Sequence, residues 1–302
     1  MLRGGKLEHE ASLREPAFEV LRPDDGAAGP SPLVFASPHS GRLYPPDMRP
    51  SAALDEQAIR TSEDAFVDEL LLPAPALGAT VILARYARAY VDLNREAFEL
   101  DQAMFSDRLP SYARARTARV AAGLGSIARV VANGKEIYDR KLTFAEAARR
   151  ISLVHRPYHE TLAALLSETR ARHGFAILVD WHSMPSAAVQ VDTRIATAPD
   201  MVLGDRFGAA CSPAFTTAVE AELDRLGFNT ARNAPYAGGF TTEGYGRPRD
   251  GVHALQIEIN RALYLDEAAG LKGEGFAALA NRLRDLFAGL AALDWQALGI
   301  AG

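Results

Sequence analysis

The sequence predicts a three-layer α/β/α sandwich around a mixed β-sheet. Short apolar runs, among them Leu33 to Ala36 and Phe175 to Val179, alternate along the chain with longer stretches of helical periodicity. Both of those runs stop abruptly in polar residues, Ser37-Pro38-His39-Ser40-Gly41 and Asp180-Trp181-His182-Ser183. Buried parallel strands end in this way where they deliver side chains to the mouth of an α/β sheet. A hydrophobic content of 48% and a charged content of 24% over 302 residues are ordinary for a globular enzyme with a substantial core.

Taken in order, residues 1–30 form a polar lead-in, carrying Glu8, Glu10, Arg14 and Glu15 and closing in Pro23-Asp24-Asp25-Gly26 and Gly29-Pro30. After the first strand, Tyr44-Pro45-Pro46 halts regular structure. Thr61 or Ser62 caps the next helix, with Phe66, Val67, Leu70 and Leu71 on its core face. Glu63 and Asp64 fall in its first turn, where negative charge complements the helix dipole. Ala79 to Leu83 reads as a strand, and so does Tyr90 to Asp92, which runs into Asn94-Arg95. Arg108, Arg114, Arg116 and Arg119 mark a solvated helix or mobile loop rather than a phosphate site. Thr143-x-x-Glu146 is a capping box opening a helix to about Arg172, with a kink or break at Pro157.

On that helix His155 and His159 lie one turn apart, a spacing that suits a metal pair. No His-Glu-x-x-His pattern surrounds them, so a supporting role fits better. Val189-Gln190-Val191 reads as a short extended piece, and Phe215 to Leu226 as a helix stopped by Gly227. Ala237 to Thr242 is a glycine-hinged loop rich in hydroxyls, suited to touching a substrate. Leu255, Ile257 and Ile259 alternate with Gln256, Glu258 and Asn260, so the polar three share one face of a strand. A helix with Phe276, Leu279, Leu283, Leu286 and Leu290 on one stripe closes the chain. The whole, residues 1–302, reads as one domain, with insertions around a site at Arg95 to Lys141 and Thr230 to Gly251.

A net charge of -5 lends no global support to a nucleic-acid partner. There is no apolar signal core and no 18-residue apolar span, which argues against a membrane partner and for a cytoplasmic protein. The single Cys211 excludes an intramolecular disulfide and reads as a structural thiol. Homo-oligomer formation is compatible with the composition. Either strand-ending histidine, taken singly, reads as structural. The repeated strand–His–Ser pattern instead points to one shared metal site, because neutral imidazole is the commonest metal ligand.

With these motifs in view, the chain resembles the N-formylglutamate amidohydrolase family. The resemblance rests on Ser37-Pro38-His39-Ser40-Gly41 with Tyr44-Pro45, Glu63-Asp64 with Val67-Asp68-x-Leu70, and Asp92-Leu93-Asn94-Arg95. It continues through Asp180-x-His182-Ser183, Tyr236-x-Gly238-Gly239-Phe240-Thr241, and Gln256-x-Glu258-x-Asn260-Arg261 with Leu263-Tyr264. It implies a fold similar to zinc carboxypeptidases and metal-dependent hydrolysis of an N-acyl amino acid, N-formyl-L-glutamate giving formate and L-glutamate in histidine breakdown. By position, His39 and His182 would be zinc ligands, with Asp64, or else Glu63, as the third. Two imidazoles and a carboxylate leave a position open for water. Glu258 would activate that water, and Asn94-Arg95 would recognise a substrate carboxylate. The His-x-x-Glu ligand pair of carboxypeptidases is absent, since Arg42 stands three residues after His39.

Chemistry argues in the same direction. A formamide is a poor electrophile, so hydrolysis needs an activated water, carbonyl polarisation and a proton for the leaving amine. A small anionic N-acyl amino acid with two carboxylates also needs cations. Arg95, Arg88 and Arg261 are the candidates, with Thr241, Thr242 and Tyr245 as hydroxyl donors. Two other readings compete: a zinc deacylase or peptidase for another N-acyl amino acid, and a non-catalytic binding protein on the same fold. The latter would be expected to lack Glu258 or a histidine, and all are present. No Gly-x-Ser-x-Gly elbow supports a serine hydrolase.

Overall fold

The computed structural model describes residues 15–23, 29–48, 54–131, 134–190 and 198–300. Its strands are β1 (Phe18–Leu21), β2 (Leu33–Ser37), β3 (Thr80–Ala84), β4 (Ala176–Met184), β5 (Met201–Gly204), β6 (Thr230–Arg232) and β7 (Val252–Asn260). They form one sheet in the order β1-β3-β2-β4-β7-β5-β6. The central strands β3, β2, β4 and β7 run parallel, while β1 pairs antiparallel with β3 and β5 antiparallel with β7 but parallel with β6, so the sheet is mixed. The helices are α1 (Glu56–Arg60), α2 (Val67–Leu71), α3 (Ala118–Ala121), α4 (Phe144–Arg150), α5 (Arg156–His173), α6 (Ser186–Gln190), α7 (Pro213–Arg225), α8 (Phe240–Tyr245) and α9 (Phe276–Ala291).

Two apolar cores, one on each face of the sheet, make the three layers. Leu33, Phe35, Ile177, Val179, Trp181, Leu255, Ile257 and Ile259 face α7 and α9. Val34, Ala36, Ala176, Leu178 and Ala254 face Leu162, Leu165 and Leu166 of α5. The aromatic rings of Phe35, Trp181 and Phe287 meet with centroids 5.2–5.6 Å apart and tie α9 to the sheet. Burying each such side chain stabilises the fold by about 1.5–3 kcal/mol.

On the α7–α9 face β4 stays apolar through Trp181 and β7 through Ile259. On the α5 face they change character partway along. After Leu178 the same face of β4 carries Asp180 and His182, and after Ala254 that of β7 carries Gln256 and Glu258. The parallel register sets Asp180 beside Gln256 and His182 beside Glu258. A polar patch thus forms at the carboxyl ends of two buried strands, with α5 beneath their apolar halves.

Several local expectations change in the structure. Tyr90 to Asp92 is buried loop, not strand; the loop is held by Arg150, whose buried guanidinium lies 4.5 Å from the Tyr90 ring centroid and donates to Tyr90 O and Tyr138. Thr61 does not cap a following helix. It ends α1, donating to Ala58 O, and α2 begins only at Val67, so Glu63 and Asp64 sit in the intervening loop. Val189 and Gln190 belong to α6 rather than to an extended piece, and Val191 lies outside the described residues. The Thr143–Glu146 capping box is present. In place of a kink at Pro157, one π-helical turn, Ile151–His155, joins α4 to α5, and Pro157 occupies the first turn of α5, where no amide donor is needed. No helix among the described residues is long and apolar enough to cross a membrane.

Candidate active site

His39 stands just past β2, where a hydrogen bond between the Ser37 and Ser40 hydroxyls (2.9 Å) folds the chain back. Its Nε2 lies 2.7 Å from Asp92 Oδ1. A carboxylate can only accept, so Nε2 carries the proton and Nδ1 turns a lone pair toward the cavity. That Nδ1 is buried and makes no hydrogen bond. Asp64 is drawn in by its own backbone, Asp64 N donating to His39 O at 3.0 Å. Its Oδ2 lies 3.5 Å from His39 Nδ1 and 2.9 Å from His182 Nδ1. His182 comes from β4, with Nε2 3.1 Å from Asp180 Oδ2 and 3.0 Å from the Asn94 amide nitrogen. One atom from each of His39, Asp64 and His182 lies within 4.8 Å of the other two, and all three residues are at most 3% exposed.

The electrostatics suit a cation. Burial would raise the Asp64 carboxyl, but the His182 and His39 imidazoles hold it well below its usual value. Burial likewise opposes Asp92, and Arg88, His39 and Arg95 hold it well below the usual range. Burial would lower His182, yet Asp180 and Asp64 keep it well above the ordinary imidazole value. Three buried carboxylates around two imidazoles leave negative charge for a divalent ion to neutralise. Each imidazole presents Nδ1 inward and is oriented from behind by a carboxylate, the arrangement by which proteins fix metal-ligating histidines.

Glu258 lines the same cavity from β7. Burial, with the nearby Asp64 and Asp180 adding and His182 opposing, raises its carboxyl to about 7. Gln256 donates to Oε1 at 2.9 Å, leaving Oε2 without a protein partner among the described residues. The cavity holds about 790 Å³ and is also walled by Arg88, Asn94, Arg95, Arg119, Arg206 and Arg261.

The sequence-predicted substrate residues separate on inspection. Arg88 and Arg95 reach the cavity; Arg88 donates to Asp92 at 2.7 Å, and Arg95 donates to Leu124 O and Asn94 O. Asn94 also lines it, but its amide serves the site's framework, lying against His182 and accepting from Thr241 N at 2.8 Å. Gly239 permits this close approach, since a Cβ there would lie 2.4 Å from the Asn94 amide nitrogen. Arg261 is fully engaged as an ion pair. It donates to Asp64 Oδ1 (3.0 Å), the Ser183 hydroxyl (3.0 Å) and the carbonyls of Glu63 and Thr61, and so orients Asp64. Thr241 and Thr242 are wholly buried away from the cavity wall. The Tyr245 phenol bonds to His159 Nδ1 (2.9 Å), outside the cavity. Glu63, the alternative carboxylate, turns away and accepts from Tyr44 and Arg60.

Asp92 and Asp180, which brace the two imidazoles, carry no role predicted from the sequence. The Asp-x-His spacing on one strand face could have found Asp180. Asp92 had no local signal, reaching His39 across 53 residues. His155 and His159 each turn a ring nitrogen to a backbone carbonyl. His155 Nε2 lies 2.8 Å from Arg95 O and His159 Nε2 2.8 Å from Leu93 O, so the π turn and α5 together fix the segment that carries Asn94 and Arg95.

A buried cluster of two histidines and one carboxylate that could hold a metal ion, beside a buried glutamate at the carboxyl ends of a mixed sheet, has the makings of a hydrolytic site. A family model, N-formylglutamate amidohydrolase, matches residues 31–265, and the chain belongs to that family. A Pseudomonas aeruginosa protein named N-formylglutamate deformylase is 32% identical over 270 residues, covering 87% of this chain and 94% of its own. One of the same name from Pseudomonas putida is 30% identical, covering 79% and 84%. The crystal structure of N-formylglutamate amidohydrolase from Ralstonia eutropha JMP134 superposes with a TM-score of 0.85 at 36% identity, over 92% of this chain and 98% of that one.

Proposed function

We propose that this protein hydrolyses N-formyl-L-glutamate to formate and L-glutamate, using a divalent metal, zinc by its donor set, held by His39, Asp64 and His182. The convergence of His39 Nδ1, Asp64 Oδ2 and His182 Nδ1 beside Glu258 carries the reading. A cation bound there would supply Lewis acidity and bring a water toward a pKa of about 7. Arg95 and Arg88 offer positive charge to substrate carboxylate near the reacting centre. Glu258 takes the proton of the attacking water at Oε2. Oxygen bonds to the formyl carbon, the C–N bond breaks, and Glu258 returns the proton to the departing amine nitrogen. Asp92 and Asp180 keep the two imidazoles fixed throughout. The reading places the protein in the cytoplasm, in histidine breakdown.

Metal analysis of the purified protein beside an assay of formate release tests this. The expected result is about one zinc per chain, with activity lost to a chelator and restored by zinc. Full activity in metal-stripped protein, or no formate from N-formylglutamate, would overturn it.

A further inference from the structure

Five arginines line the cavity, and their partners distinguish them. Arg88 is paired with Asp92, and Arg261 with Asp64. Arg206 is paired with Glu243 at 3.1 Å and donates to Gly238 O. The Arg95 guanidinium donates to two backbone carbonyls and lies 4.0 Å from Asp92. Arg119, from α3, is the one of the five whose side chain has no hydrogen-bond or ion-pair partner among the described residues. A half-enclosed guanidinium without a counter-charge is a preorganised anion receptor, since no internal pair must break before it binds.

Its place relative to the reacting centre follows from the backbone. Leu124 N donates to Arg119 O at 2.9 Å, and Leu124 O accepts from Arg95 Nε at 2.9 Å. The turn that carries Arg119 is thereby clamped to Arg95, and Arg119 is among the charges that push the Arg95 guanidinium below its usual value, after burial. Arg95 and Arg88 both adjoin Asp92, which touches His39. Among the described residues Arg119 is tied to that network through Leu124 and Arg95, and its side chain does not adjoin Asp92. In an N-formyl amino acid the α-carboxylate sits on the carbon bearing the scissile nitrogen. A glutamyl side-chain carboxylate extends beyond it. Two anions match two sets of cavity cations, Arg88 and Arg95 beside Asp92, and Arg119 apart from it.

Resting on the activity proposed above, we infer that Arg119 receives the side-chain carboxylate of the substrate and sets the preference for an acidic N-formyl amino acid, while Arg95 and Arg88 serve the α-carboxylate. Arg119 is thus a specificity-determining residue, drawn from the arginine-rich segment that the sequence alone marks as solvated surface.

The test compares kcat/KM for N-formylglutamate and N-formylglutamine in the parent, Arg119→Gln, Arg119→Lys and Arg206→Gln. Losing charge-assisted hydrogen bonds should cost Arg119→Gln on the order of 10- to 100-fold on N-formylglutamate, mainly through KM. N-formylglutamine, lacking the charge, should be hydrolysed as by the parent, and Arg119→Lys should recover part of the loss. Equal losses on both substrates, no loss on either, or a selective loss in Arg206→Gln alone would overturn the assignment while leaving the deformylase reading intact. A parent inactive on both substrates would overturn the two together.

Discussion

Glu258 and His182 sit opposite each other on adjacent strands, yet their surroundings prepare them for different work. His182 is braced by carboxylates, whereas Glu258 has a single amide donor and a carboxyl raised by burial to about 7. A carboxyl there can accept a proton and release it again near neutral pH. Glu258→Gln keeps the shape and loses that ability, so it should retain the fold and the bound metal while kcat falls by roughly 10²–10⁴-fold. Near-normal turnover in the metal-loaded variant would remove Glu258 from the role of base. Asp180 offers a test of the opposite kind. Asp180→Ala takes the orienting carboxylate from His182 Nε2, and metal affinity should drop about 10–100-fold in a competitive chelator titration. Unchanged affinity would mean that the carboxylate behind His182 does nothing for the metal.

At the scale of elements, the unit formed by α4, the π turn and α5 does more than cover the sheet. The turn brings His155 and α5 brings His159 against the Leu93 and Arg95 carbonyls, with the rings 4.4 Å apart. Burial, aided by the neighbouring His155, lowers His159 to about 3, so it is neutral in the folded protein at ordinary pH. In the unfolded chain it would titrate near 6.5. Its stabilising contribution is therefore whole above pH 6.5 and is lost as pH falls toward about 3, with a slope approaching about 1.4 kcal/mol per pH unit. His159→Gln lacks this dependence. The stability gap between parent and variant, measured by denaturant unfolding, should be widest above pH 6.5 and narrow as the solution is acidified. A gap independent of pH would show that His159 is not buried neutral.

Across the whole molecule, the His39–Asp64–His182 cluster joins segments that only the fold brings near: the end of β2, the loop before α2, β4, and Arg261 beyond β7. A cation that binds only this assembled arrangement must stabilise the native state, by about 2.7 kcal/mol at a free concentration one hundred times its Kd. Thermal unfolding with zinc and with chelator should therefore differ by several degrees in the parent, and by little in His39→Ala. An equal shift in both proteins would place the stabilising ion elsewhere.

Much of this was readable in one dimension. The period-two alternation of Leu255 to Asn260 and the apolar run into Asp180-x-His182 are local patterns, and strand geometry alone turns their polar members to one face. Thr143 with Glu146 announced a helix start for an equally local reason. The choice between Glu63 and Asp64 was not local. Adjacent loop residues point in directions fixed by their contacts, and here the deciding contacts are the His39 carbonyl and Arg261, 197 residues away. The placing of Thr241, Thr242 and Tyr245 off the cavity wall, and the pairing of Arg261 with Asp64, have the same origin. The sequence by itself determined which strands would end in chemistry, because period and polarity are written residue by residue. Only the tertiary structure decided which side chains would meet there and which cavity arginine keeps no side-chain partner among the described residues, because partners lie far apart along the chain.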